Sequence, residues 1–308
     1  MKRILALLLA VMLLFSGCGR EEISQTEIFC MDTVMSLKIW GPEETVAQCR
    51  EALYALQNDW SATREDSVIS RLNRGEEVEL TVEQRQLLQS VEALSERTGG
   101  AFDPKLGGLC EAWGFYGQNY TVPASAELAE AMAQSKWDMG ASIKGYAGNV
   151  LVDILERSGV QRAILNMGGN VQTFGQKEDG SPWVIAVQDP QGGSSYACTV
   201  SVTGTWAVVT SGDYQRCFEE NGVRYHHILD PDTGYPADSG LSSVTVICKD
   251  GLTADALSTA LFVMGLEEGS RFWRGSDDFE AVFILKDGSI HATEGAAVSG
   301  CTYEVITR

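Results

Sequence analysis

Basic residues are scarce in this chain: 23 Lys and Arg stand against 42 Asp and Glu, a formal charge of −19. That deficit argues against nucleic acid as a partner, because a phosphate backbone needs a basic footprint. It equally opposes electrostatic adhesion to anionic lipid. A nucleotide would need local compensation from a metal, a helix N-terminus or a well-placed lysine. Proline is limited to seven residues, and no Pro/Ser-rich linker, repeat or low-complexity run divides the chain. None of the eight cysteines forms a CxxC pair, so neither a zinc ribbon nor a thioredoxin-like site is signalled. There is no Walker A loop, no GxGxxG after a strand and no Ser/His/Asp arrangement of a hydrolase triad. No apolar run reaches bilayer length.

What is present begins with a targeting signal. Lys2 and Arg3 precede an apolar run, Ile4 to Phe15, and Ser16-Gly17 stand just before Cys18. Residues 1–17 read as a lipoprotein signal peptide, with cleavage before Cys18 and lipid on its sulfur. A plain secretory signal is the alternative. Residues 18–28 read as a polar tether and 29–308 as the folded domain, working outside the cytoplasm on a bacterial membrane. The remaining cysteines, scattered in apolar surroundings, read mainly as small buried hydrophobes.

Within the domain, Phe29 to Trp40 alternates as a first strand, ended by Gly41-Pro42. Apolar residues at helical spacing (Val46, Cys49, Leu53, Leu56, Trp60) predict a helix over 43–60, and a second runs over 81–98 with Thr81 as N-cap. Further helices are expected at 124–134, 146–158 and 253–264. Strands are expected at 162–166, 183–188, 196–203, 206–210, 224–229, 242–248, 279–285 and 290–293. The sum is α+β: a single domain of largely antiparallel sheet packed against helices.

Chemistry could sit on several loops. Segments 138–145, 166–170 and 210–213 carry glycines that let backbone N–H groups approach phosphate, although each alone is better explained as an ordinary turn. Lys144 adds positive charge to the first. Asp255 and Thr259 lie four residues apart on one helix face and suit a hard cation such as Mg²⁺. Plain N-terminal helix chemistry, with Thr253 as cap and Asp255 facing the dipole, is the simpler reading of the residues alone, and both can hold at once. Asp103, framed by Phe102 and Pro104, is a rigid carboxylate or a turn residue. His226 and His227 precede the stiff turn Asp230-Pro231-Asp232-Thr233-Gly234, where an imidazole can move a proton near neutral pH. His291 reads as a structural residue on an edge strand.

Taken in order, MDTVMSL (31–37), SVISRLN (67–73), TGGAFDP (98–104), DMGASIKGYA (138–147), NMGGN (166–170), TSGDY (210–214), HHILDPDTGYP (226–236) and TADALSTALFVMG (253–265) resemble the ApbE family of FAD:protein FMN transferases. The resemblance implies transfer of the FMN half of FAD to a Thr or Ser hydroxyl of an acceptor protein, with release of AMP and a requirement for Mg²⁺. It implies FAD contacts by Met31, Ala101, Phe102, Asp103, Asp138, Lys144 and Ile228, with Gly168, Gly169, Ser211 and Gly212 as pocket walls. It implies metal ligation by Asp255, Thr259 and the Ala141 carbonyl, and His227 as general base. Two departures stand out. Thr63 occupies a position where the family commonly has an aromatic, which makes FAD hydrolysis to FMN and AMP a rival. GASIKG replaces GGIAKG around the lysine. A flavin-binding lipoprotein without turnover is the rival from another class.

Overall fold

The computed structural model describes residues 22–117, 119–192 and 196–308. The expected signal peptide and Cys18 lie outside the described residues. Fourteen strands appear among them, and the largest sheet has nine in the order β1-β2-β3-β4-β7-β10-β11-β12-β14. These are β1 Ile23–Cys30, β2 Thr33–Trp40, β3 Arg162–Met167, β4 Asn170–Gly175, β7 Trp206–Gly212, β10 Leu241–Cys248, β11 Phe279–Leu285, β12 Ile290–Thr293 and β14 Glu304–Ile306. All neighbours are antiparallel except β12 and β14. A second sheet joins β5 Trp183–Gln188, β6 Tyr196–Val202 and β13 Val298–Ser299. A hairpin joins β8 Cys217–Glu220 and β9 Val223–His226.

Three helices cover one face of the large sheet: α1 Glu43–Trp60, α6 Ile143–Arg157 and α7 Gly251–Arg274. Alternation decides which residues meet them. Met35, Leu37 and Ile39 of β2 pack with Val46, Cys49 and Leu53 of α1 and Ala147, Leu151 and Leu155 of α6. Val244 and Val246 of β10 meet Leu257 and Leu261 of α7. The intervening residues, Val208, Ile247, Val282 and Ile284, turn to the other face and meet Trp183, Ile185 and Val200 of the smaller sheet. Because both faces of the central strands are covered, they read as near-continuous apolar runs rather than clean alternation. Shorter helices, α2 Val68–Asn73, α3 Val82–Arg97, α4 Gly107–Ala112 and α5 Ser125–Met132, close one end.

The α+β class with a largely antiparallel sheet stands, and so do α1 and the Thr81 capping box that opens α3. Several boundaries move. The first strand is a hairpin: residues 23–28, expected in the tether, form most of β1, and Met31-Asp32 make the two-residue turn between β1 and β2. Both turn residues have positive φ, 51° and 57°, as a type I′ turn demands. α6 starts at Ile143, so Lys144 and Gly145 lie in a helix and not a loop. Thr210-Ser211-Gly212 end β7 instead of forming a loop, paired to β10. The strand expected at 224–229 stops at His226. The helix expected at 253–264 continues to Arg274 past Gly265, where the backbone breaks from helical geometry (φ 78°). His291 is not on an edge, since β12 lies between β11 and β14, and its Nδ1 is 3.4 Å from Glu304. The seven cysteines among the described residues are all free thiols, and Cys30, Cys49, Cys198 and Cys248 are buried.

Candidate functional site

The expected metal residues sit where α6 crosses α7. A Cβ on Gly145 would stand 2.1 Å from the Gly251 carbonyl oxygen, and one on Gly251 would stand 2.4 Å from the Gly145 oxygen. Two glycines are therefore the condition for the helices to approach so closely. The crossing brings the buried Asp255 carboxylate onto the N-terminus of α6, where its Oδ2 accepts the Gly145 N–H at 2.8 Å. That donor would otherwise serve the Ala141 carbonyl four residues earlier. Among the described residues the Ala141 carbonyl and Asp255 Oδ1 consequently have no hydrogen-bond partner. One turn on, Thr259 is half-buried, and its Oγ1 lies 3.4 Å from Ser211 Oγ. Ser258 completes the cluster: its hydroxyl is 2.8 Å from Ser211 Oγ and donates to the Asp255 carbonyl at 2.8 Å.

Among the described residues no three His, Cys, Asp or Glu side chains gather as metal ligands. A cation at this place would depend on one carboxylate, hydroxyls and a freed carbonyl. That oxygen set fits a hard divalent ion that keeps its other positions for water or phosphate.

The two histidines separate in role. His226 is buried, its ring standing edge-on to Phe262 at 5.5 Å, and its Nε2 lies 3.2 Å from the Ala237 carbonyl. Its Nδ1 is buried without a partner. Burial pushes its pKa down to about 4. His227 is only half-buried by exposure, and its Nδ1 lies 3.0 Å from the Gln215 carbonyl. A carbonyl can only accept, so Nδ1 carries the proton and Nε2 keeps its lone pair. Desolvation first, then the charges of Arg216 and Lys144, push the His227 pKa down to about 3. The imidazole is neutral at pH 7 and able to take a proton. The turn after it is built as expected: Gly234 has φ 72°, and its N–H bonds the Asp230 carbonyl at 2.8 Å. Trp113 Nε1 donates to the Gly234 carbonyl at 2.8 Å, tying the turn to an aromatic cluster that reaches the His227 ring through Phe115.

The remaining predicted residues fall into two groups. Met31 is held at the hairpin turn, its N–H donating to Gln57 Oε1 at 2.7 Å. A non-glycine residue at positive φ costs about 1 kcal/mol or more, and such strain collects at functional sites. Gly168 and Gly169, also at positive φ, join β3 to β4, and a Cβ on Gly168 would strike Thr33. Lys144 Nζ reaches the Gly140 carbonyl at 3.3 Å. Asp138 is strongly organised: Oδ1 accepts the Gly140 N–H and Oδ2 the Tyr116 hydroxyl, each at 2.6 Å. Burial, then the Asp138 charge, hold the Tyr116 phenol well above its ordinary range, so it stays a donor. Asp103 Oδ1 accepts the Lys105 N–H, a turn contact. Phe102 and Ile228, expected to touch flavin, have side chains packed in the core beside α3 and α7 respectively. Ala101 is half-buried next to Phe102, and a Cβ on Gly212 would meet the Tyr214 ring at 2.5 Å.

Sequence reasoning missed Ser258, Gln215, Tyr116 and Gln57. Only Ser258, beside Thr259 on the same helix, left a readable signal. The others act across long chain separations.

Fold and site together define a mixed α and β protein with a carboxylate and hydroxyl cluster at one end of a nine-stranded sheet. The chain belongs to the ApbE family, whose model matches residues 31–283. It is 30% identical to the FAD:protein FMN transferase of Treponema pallidum, over 91% of this chain and 90% of that protein. A FAD:protein FMN transferase of Klebsiella pneumoniae is 35% identical over 67% of this chain and 70% of its own length. Among solved structures, the ApbE protein of Thermotoga maritima superposes with a TM-score of 0.82 at 34% identity, covering 89% of this chain and 97% of that one.

Proposed function

We propose that this chain transfers the FMN half of FAD to a Thr or Ser hydroxyl of an acceptor protein and releases AMP. The observation that carries the reading is the α6–α7 crossing. Asp255 takes the Gly145 N–H, which leaves the Ala141 carbonyl without that backbone partner, and Thr259 follows Asp255 one turn on along α7. Asp255, Thr259 and the Ala141 carbonyl would hold Mg²⁺, which when bound supplies charge to offset the phosphate oxygens of FAD.

The chain's own residues do the rest. The acceptor hydroxyl oxygen forms a bond to the phosphorus that bears the FMN, and the bond from that phosphorus to the AMP oxygen breaks, the electron pair leaving with AMP. The hydroxyl proton passes to His227 Nε2, the nitrogen that the Gln215 carbonyl leaves unprotonated. A pKa of about 3 makes the free imidazole a weak base. Pyrophosphate negative charge arriving nearby would raise it toward a working value, so base strength is gained on substrate binding. Lys144, in the first turn of α6, adds positive charge to a chain that is otherwise strongly acidic. Met31, Asp138, Gly168 and Gly169 form the surrounding wall.

A second reading, hydrolysis of FAD to FMN and AMP, is favoured by one observation. Thr63 is exposed, with its hydroxyl 3.1 Å from Ser61, and nothing bulky stands there to keep water out. The full chain incubated with FAD, Mg²⁺ and a candidate acceptor separates the two. FMN mass on the acceptor is expected; free FMN and AMP at the same rate with or without acceptor would establish hydrolysis instead, and no cleavage of FAD would sink both. We also hold to the lipoprotein reading of residues 1–18. Metabolic labelling with palmitate should mark the wild type and not Cys18→Ser, and equal labelling would overturn it.

A further inference from the structure

The loop between β7 and β8, residues 213–216, touches several segments of the candidate site at once. Gln215 turns its backbone carbonyl to His227 Nδ1 at 3.0 Å, and its side-chain amide would lie 3.5 Å from a Cβ on Gly169. The next residue, Arg216, reaches across to the hairpin turn, with its Nη2 3.6 Å from Asp32 Oδ2. That turn is the one that holds Met31, and Thr33 beyond it packs on Gly168. The Arg216 charge also acts on His227 and on Cys110, a thiol in hydrogen-bonding reach of Asp138 and Tyr116. A single guanidinium thus stands among the His227 wall, the Met31 turn and the Asp138 loop.

Arg216 is unlike an ordinary surface ion pair in two ways. Its backbone is left-handed, φ 41°, a conformation that a non-glycine residue keeps only where its surroundings enforce it. Its partner is a poor one. A separation of 3.6 Å is long for a charge-assisted hydrogen bond, and the Asp32 side chain is 86% exposed. A guanidinium has five N–H donors, so a contact of this kind leaves most of them for another anion. The electrostatics point the same way. In a chain with 23 basic and 42 acidic residues, Lys144 and Arg216 both bear on one imidazole and lower its pKa. Positive charge gathered beside a base weakens it, and an anion bound there offsets the effect.

We propose that Arg216 is a further catalytic residue, exchanging Asp32 for phosphate oxygens of FAD while the FMN half passes to the acceptor. Resting on the transferase reading, this role gives the pyrophosphate a second protein cation beside Lys144. A planar guanidinium meets two phosphate oxygens together, which an ammonium group cannot do. It stays protonated throughout, so it forms no covalent bond and yields no proton. Its work is to offset the negative charge that grows as the bond from phosphorus to the AMP oxygen breaks. Asp32, released from the pair, is exposed enough to be hydrated.

The test uses the full chain with FAD, Mg²⁺ and an acceptor, and compares the wild type with R216A, R216K and D32N. Arg, Ala and Lys all carry a Cβ, so the left-handed backbone at 216 is strained alike in each. Urea denaturation reports the folding of every variant before turnover is read. Expected in R216A is a loss in turnover of about a thousandfold, the lower end for an arginine in phosphoryl transfer, with a smaller loss in FAD affinity. Guanidinium chloride below denaturing concentration should restore part of that turnover and leave the wild type unaffected. R216K, which keeps a charge for Asp32, should remain well below wild type, and it carries the comparison if R216A does not fold. D32N should turn over normally, because Asp32 is only the resting partner. Near-normal turnover in R216A or R216K would overturn the assignment. So would an equal loss in D32N, which would make the ion pair a brace for the hairpin turn. If the wild type neither cleaves FAD nor labels the acceptor, the transferase reading itself fails; if it does both and R216A does too, only the role of Arg216 falls.

Discussion

Asp255 and His227 carry the two halves of the proposed chemistry, and the protein holds them by different means. Asp255 is placed by sterics: two helices cross at Gly145 and Gly251 with no room for a methyl group, and the carboxylate lands on an N-terminal N–H of the facing helix. His227 lies just past the end of β9, oriented by one backbone carbonyl and steadied by the aromatic packing of Trp113 and Phe115. The first wall depends on residues that are small. The second depends on residues that are large and on a pKa set by burial and neighbouring charge. A divalent-ion site needs oxygens fixed to fractions of an ångström, whereas a base needs only reach and the right protonation state.

The difference is sharpest under substitution. Gly145→Ala would force apart α6 and α7, and both stability and turnover should collapse, with a loss of about 3 kcal/mol in urea denaturation. A variant that folds and works normally would break the steric account. Asp255→Ala should remove Mg²⁺-dependent FMN release altogether while costing only about 1.5–3 kcal/mol of stability, the worth of one buried hydrogen bond to a charged group. His227→Ala should leave FAD affinity unchanged and slow acceptor labelling by about 10²–10⁴-fold, measured by mass spectrometry. Retained labelling would show that this wall has no base.

The pH dependence tests the second wall's electrostatics. His226 has a folded pKa of about 4, below its ordinary 6.5, because burial disfavours the charged ring. The unfolded chain therefore binds a proton that the folded chain refuses between those values. Stability should be full above pH 6.5 and decline as pH falls toward 4, by on the order of 3 kcal/mol. His227, with a folded pKa of about 3, declines in parallel, so His226→Gln should remove about half of the slope in denaturant titrations, and an unchanged slope would remove His226 as a source. The smallest effect is expected at the exposed loop: Thr63→Tyr should lower FMN release into water a few-fold and leave labelling of an acceptor intact.

Much of this was legible along the chain. Periodicity marked α1, Thr81 with Gln84 marked the start of α3, and the spacing of Asp255 and Thr259 already put two oxygens on one face. Gly234 was readable as the positive-φ residue of the turn after the histidines. Other elements were hidden for physical reasons. β1 reads as a tether because its outward residues, Gln25 and Glu27, are polar and Thr26 between them is only half-buried. Ser211 and Gly212 resemble a loop because small polar residues are what a strand end needs where it lines a site. Phe102 and Ile228 sit within motifs, and only packing shows that their side chains join the core.

By itself, the sequence determined the class of fold, the acidic balance of the chain, and which residue types could bear the chemistry. Patterning and propensity are local, and they survive being read one residue at a time. Tertiary structure alone decided that the Gly145 N–H belongs to Asp255 and not to Ala141, and that Gln215 selects the tautomer of His227. Each of those is a contact between segments separated along the chain. Its energy depends on distances of a few ångströms, which chain order does not contain.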